Sequence, residues 1–247
     1  ALFAGLTAAG LPAIGFIAYG GAGNDTIHGS QAADYPAGGS GDDTIVGGRG
    51  SDQIYGDNGI NVDVITRELS IPWIDTSTYE NRDGLVAGND TIHGDATGSA
   101  GNTAYAFDDV IFGDYGSVRQ DLAHAVVGLQ TDGTTYGYSI DRGGLATRPQ
   151  RVQSAGWIRE IMPTRPQDGG NDLLTGDGGR DRIFGGNGAD TIEGNGESDV
   201  VFGDHGRMLY LEGTTSDTTL HVVQSIDESF GAADLISTQA GDDIVAG

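Results

Sequence analysis

Aspartates recur in this chain at intervals of nine residues, each within a glycine-rich stretch. Glycine adopts a positive φ without a Cβ penalty, so such stretches form tight turns, and the Asp at position six directs a carboxylate into the turn. Short carboxylates and backbone carbonyls are the oxygen ligands that calcium prefers. The complete pattern G-G-x-G-x-D-x-U-x, where U is a large apolar residue, occurs at 20–28, 38–46, 47–55 and 185–193.

The position-six aspartates are therefore the candidate metal ligands. They are Asp25, Asp34, Asp43, Asp52, Asp90, Asp109, Asp172, Asp181, Asp190, Asp199, Asp234 and Asp243. We expect the backbone carbonyls of the first glycine in a unit to complete the sites, at Gly20, Gly38, Gly47, Gly176, Gly185 and Gly194. Asp also occurs at position two, as Asp57, Asp114, Asp177 and Asp204, where an ordinary turn and a metal ligand are equally good interpretations.

The last three residues of each unit predict a short strand that positions these turns, with its middle side chain facing inward. The expected inward residues are Ile27, Ile45, Ile54, Ile92, Ile111, Leu174, Ile183, Ile192, Val201, Ile236 and Val245. One unit cannot bury a core, so copies must stack.

The nonapeptide resembles the repeats of the repeats-in-toxin (RTX) family of secreted calcium-binding proteins. That resemblance implies an all-β fold, a parallel β-roll (β-solenoid) of nonapeptide half-coils, which binds several Ca²⁺ ions. The breaks in the repeat predict antiparallel β-hairpin insertions that protrude from the roll.

Two half-coils make one coil of 9 + 9 = 18 residues, so each turn should stack on the second turn after it. A single turn offers too few oxygens for calcium, whereas two stacked turns can share their ligands. The expected pairs are Asp25 with Asp43, Asp34 with Asp52, Asp172 with Asp190, and Asp181 with Asp199. Asp43 and Asp190 should also stack on the closing turns at 56–59 and 203–206.

The phase of the repeat divides the chain into blocks and insertions. Residues 1–19 are an apolar lead-in that we expect to be packed. Roll blocks are expected at 20–59, 85–116, 167–206 and from 229 to 247. Insertions separate them at 60–84, 117–166 and 207–228; the longest should form a small antiparallel sheet, although a helix from Val118 is an alternative. Pro36 stands at an inward position, which predicts a weak or edge strand.

Composition excludes several classes of function. The formal net charge of −24 argues against nucleic acid as a partner. There is no cysteine, hence neither a disulfide framework nor a thiolate metal site. The apolar lead-in is interrupted by glycines and Pro12, so we expect no membrane span. No H-E-x-x-H or G-x-S-x-G motif is present, and we expect no enzymatic activity.

Two functions from different classes fit these observations. The first is a structural or adhesive segment of an extracellular or cell-surface protein, which folds on calcium and continues in a longer chain or associates head to tail. Cell-surface or matrix ligands are conceivable for it. The second is the calcium-dependent C-terminal secretion module of a secreted toxin or hydrolase. The elaborate insertions favour the first, because a secretion module should be a short uninterrupted roll.

Overall fold

The computed structural model describes residues 10, 12–59, 85–95, 107–121, 157–210 and 220–247. The predicted insertion at 60–84 and the distal parts of the other two lie outside these ranges. Seventeen strands are described: β1 (Ile17–Ala22), β2 (Thr26–His28), β3 (Tyr35–Ser40), β4 (Thr44–Gly48), β5 (Gln53–Tyr55), β6 (Thr91–Asp95), β7 (Val110–Phe112), β8 (Gly116–Asp121), β9 (Trp157–Pro163), β10 (Leu173–Thr175), β11 (Arg182–Phe184), β12 (Thr191–Glu193), β13 (Val200–Phe202), β14 (Gly206–Tyr210), β15 (Leu220–Ser225), β16 (Leu235–Ser237) and β17 (Ile244–Ala246).

Two parallel sheets form the roll. The seven-stranded sheet has the order β1-β3-β5-β7-β11-β13-β17, and the six-stranded sheet has the order β16-β12-β10-β6-β4-β2. Successive strands of the chain alternate between these sheets, as two half-coils per coil require. The prediction of a parallel β-roll is confirmed.

The stack of coils continues across the insertions without a change of register. Ile45 lies opposite Ile27 on one side and Ile92 on the other, although the second partner follows a long insertion. Ile183 is likewise opposite both Ile111 and Val201. The blocks are therefore consecutive parts of one roll.

The interior between the two sheets is filled by the predicted inward side chains. Ile45, Ile54, Ile92, Ile111, Leu174, Ile183, Ile192 and Val201 form one buried cluster, with Ile27 and Ile236 packed against it. Val245 differs, since 49% of it is exposed. Its strand, β17, has a neighbour on one side only, so nothing in the described chain covers it.

The outer face of the seven-stranded sheet carries a second core that the repeat pattern did not predict. Rings of Tyr35, Tyr55, Phe112, Phe184 and Phe202 stack along it, with centroids 4.8 to 5.1 Å apart. All five are at most 2% exposed. Aromatic pairs at this spacing contribute about 0.5–1.5 kcal/mol each beyond their buried area.

The stems of two insertions cover this aromatic stripe. Strands β8 and β9 form one antiparallel hairpin stem, β14 and β15 form another, and β9 pairs with β14, which joins them into a four-stranded sheet. Val118, Ile161, Met208 and Tyr210 of this hairpin sheet belong to the same buried cluster as the aromatic rings. The expected antiparallel hairpins thus pack on the roll as they leave it.

Two local expectations were wrong. Strand β3, which contains Pro36, is an interior strand, because β1 extends the sheet beyond it. Pro36 lacks only its own N–H, while the neighbouring Tyr35 N–H still donates to Phe16 O at 2.9 Å. The alternative of a helix from Val118 also fails, because residues 118–121 lie in β8. The strand β1 further shows that residues 17–19 of the expected lead-in belong to the roll.

The aromatic stripe makes a testable contribution to stability. Phe184→Ala removes the ring between Phe112 and Phe202 and should lower the free energy of unfolding by about 3–5 kcal/mol, the usual cost of emptying a buried aromatic site. Urea unfolding in saturating calcium measures it. Leu173→Ala is the control, since Leu173 is 42% exposed, and it should cost about 1 kcal/mol or less. Equal losses would contradict the assignment of a second core.

Candidate metal centre

The turns of the roll form two columns, one along each edge. Six turns connect the seven-stranded sheet to the six-stranded sheet, at 20–25, 38–43, 56–90, 113–172, 185–190 and 203–234, and all three long insertions leave from them. We call this column the insertion edge. The opposite edge consists of the turns at 29–34, 47–52, 94–109, 176–181, 194–199 and 238–243.

The position-six aspartates form a hydrogen-bonded ladder along each edge. The backbone N–H of each Asp donates to Oδ1 of the Asp in the next coil, at 2.7 to 3.0 Å. The ladder on the insertion edge runs through Asp25, Asp43, Asp90, Asp172, Asp190 and Asp234. The ladder on the opposite edge runs through Asp34, Asp52, Asp109, Asp181, Asp199 and Asp243, and Phe16 N–H donates to its first member.

In ten of these twelve aspartates the second carboxylate oxygen, Oδ2, is buried and has no hydrogen-bond partner. Buried Oδ2 atoms without a hydrogen-bond partner belong to Asp25, Asp43, Asp52, Asp90, Asp109, Asp172, Asp181, Asp190, Asp199 and Asp234. An isolated buried carboxylate oxygen is costly unless a cation or donor compensates it. The same unpartnered oxygen in ten aspartates points to a ligand that follows the repeat.

Glycine leaves room beside each of these oxygens. A Cβ added at Gly20 would lie 2.7 Å from Asp25 Oδ2 and 2.5 Å from the carbonyl oxygen of Gly38 in the next coil. At Gly94 the corresponding distances are 2.5 Å to Asp109 Oδ2 and 2.8 Å to the Gly176 carbonyl oxygen. A carboxylate and a carbonyl from stacked turns therefore approach the same glycine, which no other residue could replace without displacing them.

This oxygen-only arrangement fits calcium. Among the described residues, no three His, Asp or Glu side chains come together as a metal-binding group. A site here accordingly combines one or two carboxylates with backbone carbonyls and water, which are ordinary calcium ligands. Bound calcium would supply the positive charge that the unpaired Oδ2 atoms lack.

Burial also changes the protonation of the metal-free aspartates. Desolvation, the largest cause in each case, raises the pKa of Asp34, Asp43 and Asp199 to about 6 and of Asp90 and Asp190 to about 7. The pKa of Asp172 rises to about 9, with the nearby charge of Asp114 as a second cause. Asp52, Asp109 and Asp181 are shifted in the same direction. Without a cation, burial therefore favours the protonated form of these aspartates.

The structure places the four predicted aspartate pairs in adjacent coils, as the 18-residue coil requires. Their role as calcium ligands remains a prediction. The ladders also contain pairs that the sequence reasoning missed because they span insertions, including Asp43 with Asp90 and Asp109 with Asp181. The closing turns stack as expected: Gly39 N–H donates to Gly56 O at 2.9 Å and Gly186 N–H to Gly203 O at 3.1 Å.

The set of glycine carbonyls predicted from the sequence leaves out several that lie in equivalent places. The carbonyl oxygens of Gly38, Gly47, Gly176, Gly185 and Gly194 each lie beside a glycine α-carbon of a neighbouring coil, next to an aspartate Oδ2 atom. Gly20 differs, because it contributes its α-carbon to such a place. The sequence reasoning missed the carbonyls of Gly56, Gly94, Gly113 and Gly203, which occupy the same place. All four precede an Asp at position two, and this Gly-Asp pair was the signal that could have identified them.

Three turns of the insertion edge are interrupted by an insertion, and we call them split turns. In each split turn, the aspartate at position two holds the two halves of the turn together. Asp57 Oδ1 accepts the Gly88 N–H at 2.9 Å, Asp114 Oδ1 accepts the Gly170 N–H at 2.7 Å, and Asp204 Oδ1 accepts the Ala232 N–H at 3.1 Å. Each bond joins the start of the turn to the chain that returns from the insertion. These carboxylates thus fix the point at which an insertion leaves.

The two histidines on the six-stranded sheet, His28 and His93, are half-buried. His93 Nδ1 lies 3.2 Å from Asp177 Oδ2 on the opposite edge. Burial lowers the pKa of His28. His205, in a closing turn, is 4% exposed, and burial lowers its pKa as well.

In the ranges that the structure describes, no helix has the length and apolar character needed to cross a membrane.

Substitutions of two consecutive aspartates on the insertion edge distinguish a predicted ligand from the exposed residue beside it. Asp43→Asn keeps the Oδ1 acceptor for Asp25 N–H but removes the charge at the unpartnered Oδ2, so calcium affinity should fall at least about tenfold. The matched control is Asp42→Asn, because Asp42 is exposed and directly precedes Asp43. Calorimetric titration measures both. Equal effects would mean that the ladder position does not determine binding.

The raised pKa values predict an unusual pH dependence in EDTA. Because the folded values of about 6 to 9 exceed the ordinary value of 3.8, the metal-free roll binds more protons than the unfolded chain. Its free energy of unfolding should therefore fall as pH rises from about 4 to 9. The β-sheet circular dichroism signal in EDTA should be strongest near pH 4, and calcium should restore it at neutral pH. A metal-free signal that grows with pH would contradict this.

Comparison with known proteins agrees with this geometry. A family model described as the RTX calcium-binding nonapeptide repeat matches four segments, at residues 17–35, 37–63, 87–96 and 167–206. No curated protein and no solved structure matches the chain. RTX repeats of this kind bind several Ca²⁺ ions, and the matched segments contribute strands to both sheets of the roll. These four segments of the chain are therefore RTX calcium-binding nonapeptide repeats.

Proposed function

We propose that the chain is a structural segment of a secreted, extracellular protein. In this proposal calcium folds it into a stiff scaffold that forms part of a fibre, surface layer or matrix. The observation that carries the proposal is the uninterrupted stack of coils, whose register survives three long insertions that leave from one edge. A scaffold needs such a design, in which the added material does not disturb the supporting roll.

The packing of the insertions supports a role in presentation. The hairpin sheet lies against the aromatic stripe of the roll, so both stems have a fixed orientation. Arg207 of β14 donates to Glu160 of β9 at 2.6 Å, which joins the two stems across their shared boundary. Loops held on a rigid support are where proteins commonly place binding residues. Cell-surface or matrix ligands would then meet the distal parts of the insertions.

Charge supports an extracellular location. A net charge of −24, with aspartates stacked in successive coils, opposes folding unless divalent cations are abundant. Extracellular calcium modules commonly operate at about 10⁻⁴–10⁻³ M calcium. The chain has no cysteine, so calcium takes the stabilising role that disulfides have in many secreted domains.

The last described coil offers a surface for further stacking. Leu235 of β16 is 68% exposed, and Ile244 and Val245 of β17 are 46% and 49% exposed. Both strands lie at the border of their sheets, where backbone groups are available to another strand. Another coil, either later in the same chain or in a second copy, would cover them. Head-to-tail contacts of this kind remain open and produce filaments.

Sedimentation and electron microscopy test the proposal. In calcium the chain should form rods longer than one roll, with a length that increases with concentration and is lost in EDTA. Val245→Arg, which adds charge at the uncovered coil, should leave monomers. Leu173→Arg places the same charge on an exposed strand position away from that coil and should not interrupt the rods.

Two results would count against this proposal. A folded monomer in calcium at every concentration would overturn the stacking proposal. A catalytic domain in the same reading frame would favour the secretion module instead.

A further inference from the structure

Two split turns are stacked directly on one another on the insertion edge. The turns at 56–90 and 113–172 belong to adjacent coils, because β5 pairs with β7. Each carries an Asp at position two, and Asp57 N–H donates to the Asp114 backbone oxygen at 3.3 Å. Nowhere else on this edge, within the described residues, do two position-two aspartates meet: the next turn has Gly186 at that place.

The carboxyl groups of this pair are buried and close together. Asp57 is 0% exposed and Asp114 is 3% exposed. The Asp57 carboxyl group is a neighbour of the Asp114 carboxyl group. Both oxygens of Asp114 accept backbone N–H groups, from Gly170 and Asn187, at 2.7 Å. Asp57 Oδ1 accepts the Gly88 N–H, whereas its Oδ2 has no partner.

The charged side chains nearest to Asp57 are themselves acidic. Its strongest charged neighbours are Asp90, Asp114 and Asp172, all of them carboxylates. The ion pairs among described residues do not include Asp57 or Asp114. A buried pair of carboxylates keeps both charges only when a cation lies beside it.

The opposite edge shows a similar pair with basic side chains beside it. Asp95 and Asp177 occupy position two in adjacent coils, since β6 pairs with β10. There Asp177 contacts the His93 imidazole at 3.2 Å, and the charge of Arg49 acts on Asp95. Arg49 thus supplies positive charge at that edge, whereas the strongest charged neighbours of Asp57 are all carboxylates.

We propose that Asp57 and Asp114 hold a further calcium ion that lies outside the nonapeptide pattern. The Asp57 Oδ2 atom and the Asp114 carboxylate are its side-chain ligands, and backbone oxygens and water complete the shell, as is usual for calcium. The ion joins two carboxylates that each fix the base of an insertion. Its role is to hold the exits of the first and second insertions together.

The competing arrangement is a proton shared by the two carboxyl groups. One substitution distinguishes a proton from a metal. Asp57→Asn keeps the Oδ1 acceptor for Gly88 N–H and places an NH₂ donor where Oδ2 was, so it imitates the protonated acid. It therefore satisfies a shared hydrogen bond, yet it removes a charged calcium ligand.

Native mass spectrometry in calcium counts the bound ions. The Asp57→Asn chain should bind one ion fewer than the unaltered chain. The control is Asp204→Asn, at position two of the third split turn, whose neighbouring turn has glycine there; it should keep every ion. An unchanged count in Asp57→Asn, with equal or higher thermal stability, would overturn the proposal in favour of the shared proton.

A second measurement uses the unaltered chain, so it remains decisive even if the variant does not fold. Crystals grown in calcium should show an anomalous-scattering peak beside Asp57 Oδ2, separate from those beside the position-six aspartates. If the ladder sites are occupied but no peak lies between Asp57 and Asp114, the proposed site is refuted. That result would leave calcium binding by the roll itself unaffected.

Discussion

The unpaired carboxylate oxygen inside ten of the turns is the constraint on which the rest of this fold depends. One oxygen of each position-six aspartate after Asp25 accepts a backbone N–H from the preceding coil, so the carboxylates are held at the strand spacing of the sheets. The other oxygen is buried beside a glycine and a carbonyl. The hydrogen bond thus stacks the coils, while the free oxygens make that stack unfavourable until a cation is present. We therefore expect folding and calcium binding to be one process.

The split turns explain how insertions are accommodated. The chain leaves the roll after a Gly-Asp pair, and the position-two carboxylate binds the returning backbone before the next position-six aspartate. The aspartate ladder therefore meets the same backbone geometry whether or not an insertion intervenes. Asp90 and Asp172 lie in one ladder although 82 residues separate them.

Much of the roll could be predicted from sequence because every unit repeats the same local physics. Turn glycines, the aspartates and the inward residues such as Ile45 and Ile183 are fixed by spacing alone. The pairing of Asp43 with Asp90 was missed, because an 18-residue rule cannot show where the chain re-enters after an insertion. The aromatic stripe left a readable signal: position nine is Tyr55, Phe184 or Phe202 in the seven-stranded sheet but His28 or Glu193 in the other. Burial at Asp57 depends on which two coils meet, and that had no sequence signal.

The hairpin sheet has a consequence for how densely the roll can be decorated. A hairpin is two strands wide, about 9.6 Å, whereas each coil adds one strand, about 4.8 Å, to the height of the roll. The stems that begin with β8 and β14 rise from coils separated by one plain coil, the coil of β11, so the pitch of their exits equals the width of a hairpin. The plain repeat between them, 185–202, therefore acts as a spacer. Deleting those 18 residues would preserve the phase of both ladders and still leave the two stems competing for the same strip of aromatic surface.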